Sequence, residues 1–496
     1  MTTYDRPVER VRVLVVGAGL SGICAAVKLR AAGIEDFVVI DRADAVGGTW
    51  RDNTYPGCAC DVPSALYSFS FEPKADWSRF YAGQPEIRAY AGTVAERHGV
   101  VPHLRLGVDM HEAAWDDDGQ VWRVGTSAGD YEARVLIAAT GPWHEPVIPD
   151  LPGLERFEGT TFHSSRWNHD HDLRGRRVAV VGNGASAVQF VPEIQPDVER
   201  LHVFQRTPHW VLPKPDRPVT RVERTLFARV PAIQRALRSA IYYGSELAGR
   251  GMRRPAPMRH LQRVGEAHLR RSVPDPDLRR RLTPDYTLGC KRILFSNDYY
   301  RSLTRPNVDV IPSAVAEVRE RSVVDADGVE REVDTIVFGT GFRLLDMPIA
   351  ELVRGRDGRT MAEGWEGSPR GYLGTTVAGF PNAFLLLGPN IGNGHSSATV
   401  LMEYQVGYVV DALRTMDRLG LGSVEVKPDV QHAFNARVDE LLAGSIWNAG
   451  GCGSYYLDRN GRNSFMYPWS TVHLRRRMRR FDLDSYLGRP PAPAAA

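Results

Sequence analysis

Twice in 496 residues an apolar, β-branched run stops at a glycine-rich turn that opens a helical pattern. Val11-Arg12-Val13-Leu14-Val15-Val16 leads into Gly17-Ala18-Gly19-Leu20-Ser21-Gly22, and Arg177-Val178-Ala179-Val180-Val181 leads into Gly182-Asn183-Gly184-Ala185-Ser186-Ala187. In a strand-turn-helix of this kind the first glycine permits the turn and the second lets backbone reach a pyrophosphate. The third small residue lets the helix pack on the strand, with the helix N-terminus facing the anion. Few folds accommodate that pattern twice. The chain is expected to be α/β, with two Rossmann-like dinucleotide-binding domains built on parallel sheet.

The strands after the two motifs end in opposite charges. After the first, Phe37-Val38-Val39-Ile40 ends at Asp41, 19 positions beyond Gly22, where a carboxylate can accept from ribose hydroxyls. After the second, Leu201-His202-Val203-Phe204 ends in Gln205-Arg206-Thr207, with Arg206 again 19 positions beyond Ala187. A cation at this place either favours a 2′-phosphate, hence NADPH over NADH, or is a solvated strand-end charge. Two dinucleotide sites in one chain suit hydride transfer from NADPH to a flavin, which then reduces a further acceptor.

Composition excludes several alternatives. Hydrophobic content of 43% and charged content of 24% are ordinary for a soluble chain, and a net charge of +3 is too mild to imply nucleic acid. The run Ala383 to Leu387 has the length of a buried strand, not of a membrane span. The first apolar run, Val13 to Val16, leads directly into the glycine turn without a signal-peptide pattern, so a cytoplasmic protein is expected. Five scattered cysteines, Cys24, Cys58, Cys60, Cys290 and Cys452, are expected to be reduced thiols. Cys58-x-Cys60 lacks the spacer of a redox motif and has no second pair to complete a zinc site, so no metal is expected. Residues 216 to 290 change character, with many Arg residues at amphipathic helical spacing, and are expected to form a helical insertion with a solvated face.

Gly47-Gly48-Thr49-Trp50 followed by Tyr55-Pro56-Gly57-Cys58-Ala59-Cys60-Asp61 resembles the longer signature of class B flavoprotein monooxygenases of the Baeyer–Villiger type. The resemblance implies FAD in the first site, with Gly48, Trp50 and Tyr55 beside it; from the residues alone, Trp50 and Tyr55 also suit core packing. Phe157-x-Gly159, then His163 and Trp167, is similar to the short signature that distinguishes Baeyer–Villiger enzymes from N- and S-oxidising relatives, which usually carry Phe or Tyr at the Trp167 position. It implies a hinge or supporting role for His163 and no proton transfer. Taken without the resemblance, the connector is a turn and an edge strand in which His163 and Trp167 pack. The sequence departs from the family pattern at Asn168, where Pro or Asp is usual.

Lys291-Arg292 resembles the family pair in which the lysine supports the NADP phosphate and the arginine is catalytic. The chemistry explains the arginine: a flavin peroxide that attacks a ketone must stay anionic, which requires a neighbouring cation that does not donate its proton near neutral pH. The same cation can stabilise the oxyanion of the adduct. Asp61 resembles the carboxylate that orients this arginine, and Trp447 to Asp458 resembles the C-terminal loop, with Tyr455 where relatives often have Trp. Ala138-Ala139-Thr140-Gly141 and Phe338-Gly339-Thr340-Gly341 resemble strand ends at domain crossings. The expected division is 1–144 for FAD, 145–215 for NADPH, 216–290 for the insertion, 291–371 for NADPH again, 372–487 for FAD again, and a disordered tail at 488–496. The implied activity is oxygen insertion from O2 beside a ketone carbonyl, through a C4a-peroxyflavin, giving an ester or lactone. The alternatives are an N- or S-oxidising monooxygenase and a pyridine-nucleotide disulfide reductase, which would need Cys58 and Cys60 as its redox pair.

Overall fold

A computed structural model describes residues 8–492. Two sheets with parallel cores organise the chain. The first is eight-stranded and is centred on Val8–Val16, which pairs in parallel with Phe37–Asp41 on one side and Gly129–Ala138 on the other. Val15 sits opposite Val39 and Ile137, so the apolar run read from the sequence is a strand covered on both faces. An antiparallel extension, Met110–Asp116 and Val121–Thr126, continues this sheet beyond Gly129–Ala138.

The second sheet has five strands, all parallel, in the spatial order Val308–Ile311, Arg200–Phe204, Arg177–Val181, Thr335–Phe338, Thr160–His163. The connector between the nucleotide units therefore supplies the edge strand of the second one, with His163 opposite Phe338. The late apolar run returns to the first sheet, where Ala383–Leu385 pairs with Leu136 to Ala138. After it comes the helix Ala398–Leu419, capped by the Ser397 hydroxyl and packed on Leu20–Ala31 through a Ser21 Oγ to Met402 Sδ contact of 3.9 Å.

Between the short strands Val211–Leu212 and Leu294–Phe295 the chain runs through the helices Arg221–Arg229, Pro231–Gly251, Pro255–Ser272 and Pro276–Arg281. Three start with Pro in the first turn, where the missing N–H costs nothing, and the first is closed by a Thr220–Glu223 capping box. No helix among the described residues is long and apolar enough to cross a membrane.

Three expectations need correction. Cys290 and Cys452 are not free thiols but form a disulfide across 162 residues of sequence, a separation with no local signature; Cys24, Cys58 and Cys60 remain free and buried. The chain touches the first sheet again at Val353–Arg354, paired with Ala113 and Ala114, earlier than the boundary drawn at residue 372. Gly488 and Arg489 are not tail: they end the strand Tyr486–Arg489, which pairs antiparallel with Ser423–Val426. Residues 493–496 lie outside the described residues.

Candidate active site

The two glycine turns are closed in the same way. Gly17 adopts φ +110° and donates its N–H to Ile40 O at 2.7 Å; a Cβ there would lie 2.6 Å from Ala139 O. Gly182 adopts φ +106° and donates to Phe204 O at 3.0 Å; a Cβ there would lie 2.5 Å from Gly339 O. Each Thr-Gly strand end read from the sequence is thus the wall against which its own turn closes, and no side chain larger than hydrogen fits. A Cβ on Gly22 would overlap Gly17 O, whereas Ala187 is accommodated, fully buried against Gly339. Gly19 and Gly184 stand at the N-caps of Leu20–Ala31 and Ala185–Ile194, and neither helix start carries a side-chain cap, which leaves amides for a phosphate. Gly48, at φ +53°, lies across the first turn, its Cβ position 3.0 Å from Gly19 Cα. This is a cradle that any side chain would fill, and it fits a dinucleotide.

Asp41 helps to shape that cradle. Its Oδ2 accepts from Ala18 N at 2.7 Å and its Oδ1 from Ala43 N at 2.9 Å, with Arg51 Nη1 at 3.4 Å from Oδ1. A carboxylate has about four acceptor positions, so ribose hydroxyls can still be received. In the second unit, Arg206 is exposed just beyond Gln205, which is buried and accepts from Asn183 Nδ2 at 3.0 Å. Lys291 is held below the usual lysine range by burial first, countered by Asp285 and reinforced by the charge of Arg206. Two cations therefore share one patch, an arrangement that suits a phosphate dianion. Burial, with Lys291 adding to it, also pushes the neighbouring His209 down to about 4.

Arg292 reaches across to the first unit. Its Nε donates to Asp61 Oδ2 at 3.0 Å, and its Nη2 donates to the same oxygen. Asp61 holds the guanidinium above its ordinary range, outweighing the opposing effect of burial, so the group stays a cation. The pair does not seal it, because 37% of the Arg292 side chain remains accessible. Arg292 Cζ lies 6.0 Å from the centre of the Trp143 ring, and Tyr455 stands edge-on to Trp143 at 6.3 Å. Burial raises the Tyr455 phenol, and the Arg292 charge works against that rise.

Trp50 and Tyr55 have structural partners of their own. Trp50 Nε1 donates to Tyr67 Oη at 3.0 Å, and Tyr55 Oη donates to Gln189 Oε1 at 2.9 Å. Gln189, on the helix of the second nucleotide unit, donates back through Nε2 to Ala59 O at 2.9 Å, and a Cβ on Gly57 would come within 2.9 Å of Gln189 O. The Tyr55-Pro56-Gly57 turn is therefore a clasp between the two units. Sequence reasoning missed Gln189 because nothing in its own helix marks it.

The connector is packed into the second unit. Trp167 lies edge-on to Phe162 at 5.0 Å and tilted over Phe190 at 5.3 Å, and Phe190 also meets Tyr55 at 6.0 Å. A Cβ on Gly159 would strike Asp334 O and the Phe157 ring, so glycine is required where the chain enters the edge strand. His163 is buried, with Nδ1 accepting from Ser165 N at 3.1 Å, and burial lowers it to about 4. It is neutral at neutral pH. Asn168 Oδ1 accepts from Asp170 N at 3.1 Å, a turn bond that the Asp of the family pattern could equally make. Cys58 and Cys60 are both buried, with the Cys58 thiol pushed up to about 12 by that burial, which opposes formation of a reactive thiolate.

Two nucleotide cradles in one chain, with the Arg292–Asp61 pair as a fixed cation, define a flavoprotein oxidoreductase of the two-dinucleotide class. In agreement, the family model described as pyridine nucleotide-disulphide oxidoreductase matches residues 14–247. The chain is 48% identical over 496 residues to a Baeyer–Villiger monooxygenase of Streptomyces coelicolor, covering 100% of this chain and 96% of that protein. It is 45% identical over 493 residues to a Baeyer–Villiger monooxygenase of Pseudomonas aeruginosa, covering 98% and 93%. The chain belongs to the Baeyer–Villiger monooxygenase family. Among solved structures it superposes on the closed form of cyclohexanone monooxygenase with a TM-score of 0.87 at 28% identity, covering 98% of this chain and 100% of that one. A steroid monooxygenase bound to NADP gives a TM-score of 0.87 at 30% identity, covering 97% and 99%.

Proposed function

We propose that this protein is an FAD-containing, NADPH-dependent Baeyer–Villiger monooxygenase that inserts one oxygen atom of O2 beside a ketone carbonyl, giving an ester or lactone. The observation that carries the reading is Arg292, a fixed cation pinned by Asp61 between the two nucleotide units. Cyclohexanone-bound and ε-caprolactone-bound forms of a structural neighbour support a ketone as substrate and a lactone as product.

In this reading Gly17, Gly19, Gly22, Asp41 and Gly48 hold FAD, with Trp50 and Tyr55 packing behind it. Gly182, Gly184 and Ala187 receive the NADPH pyrophosphate, and Arg206 and Lys291 its 2′-phosphate. Bound there, FAD reduced by NADPH would supply the electrons for oxygen activation. Arg292 keeps positive charge beside the reacting oxygen and carbonyl without surrendering a proton, and Asp61 fixes the direction of its nitrogens. Trp143 borders the same cation, with Tyr455 edge-on to that ring. The buried, high-pKa state of Cys58 and Cys60 argues against a disulfide-reductase cycle.

The test is oxidation of a ketone panel by the FAD-loaded protein with NADPH under ¹⁸O2. One ¹⁸O per ester establishes the reaction. Conversion of amines or sulfides with no ketone oxidised would replace it by N- or S-oxidation.

A further inference from the structure

The disulfide joins the two segments that meet at Arg292. Cys290 immediately precedes Lys291-Arg292 in sequence, and Cys452 lies three residues before Tyr455. Cys452 is set in Gly450-Gly451-Cys452-Gly453, with Gly451 at φ +85°. Such a run has almost no side chain to pack, and glycine loses more conformational freedom on ordering than any other residue. Something outside the run must hold it. Thr287 N donates to Gly450 O at 3.0 Å, and a Cβ on Gly450 would lie 2.5 Å from Cys290 Cβ, so the backbone is drawn tightly onto the 287–290 segment. The covalent bond adds an anchor at this point, beside the packing of Cys452 against the cluster that holds Cys290 and Ile446. Directly beyond it, Tyr455 meets Tyr456 at 4.6 Å and Trp143 at 6.3 Å, on the ring that also lies beside Arg292.

We propose that the Cys290–Cys452 disulfide is a redox-sensitive tether that holds the Tyr455 segment against Arg292 and thereby preorganises the NADP site. Both cysteines are positioning residues acting through the loop. Cys290 is fully buried, so the bond is approached from the Cys452 side, where Cys452 is half-buried between the exposed Gly451 and Gly453. Release is a thiol–disulfide exchange with an external dithiol. The dithiol gives two electrons and two protons, the protein S–S bond breaks into two thiols, and the dithiol closes to its own disulfide. Cys24, Cys58 and Cys60 are buried and do not compete for this exchange.

The proposal rests on the reading of Arg292 as the catalytic cation, and the experiment separates the two. Thiols are counted in denatured holoenzyme before and after reduction; three and then five are expected. NADP+ affinity is followed through the flavin absorbance, and loop exposure by limited proteolysis. Reduced wild type and Cys452→Ser are each expected to bind NADP+ about tenfold more weakly, as loss of preorganisation would cause. Both should be cut within residues 450–455 while FAD content is kept, and reductant should add nothing to Cys452→Ser. Five thiols before reduction, or unchanged NADP+ affinity and cleavage after it, overturns the tether. If Cys452→Ser does not fold, reduction of folded wild type decides alone. Should the thiol count and cleavage behave as expected while no ketone is oxidised, the reading of Arg292 fails and the tether stands.

Discussion

Arg292 and Asp61 lie 231 residues apart, yet two guanidinium nitrogens of the one converge on a single carboxylate oxygen of the other. One oxygen of Asp61 is committed to fixing a direction, and part of Arg292 stays open to a ligand. Arg292→Ala is expected to retain FAD and its reduction by NADPH but to form no ester, a loss of at least about 10²-fold by analogy with removal of an oxyanion donor. Arg292→Lys should recover little, because an ammonium cannot reproduce the two-pronged contact. Stopped-flow reduction together with product analysis checks both variants.

Asp61→Asn keeps the shape of the side chain but removes the charge that holds Arg292 in place. Ester formation is expected to fall more than flavin reduction, with hydrogen peroxide appearing in its stead. Equal losses in both steps would assign Asp61 to folding rather than to orientation.

The two turns should separate the two cofactors. Gly17→Ala drives a methyl into Ala139 O and is expected to abolish FAD retention, whereas Gly182→Ala meets Gly339 O and should spare FAD while weakening NADPH. Flavin absorbance and NADP+ titration distinguish them.

In the proposed function Arg206 receives the 2′-phosphate of NADPH. Arg206→Ala is expected to weaken NADPH by roughly tenfold or more, the worth of one charge-assisted hydrogen bond, and to leave NADH nearly unchanged. Steady-state kcat/KM for the two nicotinamides gives the ratio; a parallel fall in both would reduce Arg206 to a surface charge.

Burial holds both His163 and His209 at about 4 in the folded protein, below the ordinary 6.5. The unfolded chain therefore binds more protons than the folded one between these values, so their contribution to stability is intact above about 6.5 and is lost as pH falls towards 4. Urea unfolding across this window should show the decline, and His163→Gln should make it shallower without affecting stability at pH 8 in the same proportion.

Whatever depends on neighbours along the chain was legible in the amino-acid sequence. Strand, glycine turn and helix succeed one another within about a dozen residues, so the turns at Gly17 and Gly182 could be placed from spacing alone, and so could the end of the next strand at Asp41. The signature around Trp167 was equally visible, and a turn with an edge strand in which Trp167 packs was one reading of it; that the ring packs on Phe190 emerged only in the folded chain. Pairings between distant segments emerged only in the folded chain: Gln189 clasping Tyr55, Val353–Arg354 joining the first sheet, Tyr486–Arg489 claiming part of the supposed tail, and Cys290 bonding to Cys452. The physical reason is common to them. A hydrogen bond, ladder or disulfide between remote residues leaves no periodicity in either segment, and it exists only after the two sheets have brought the segments together.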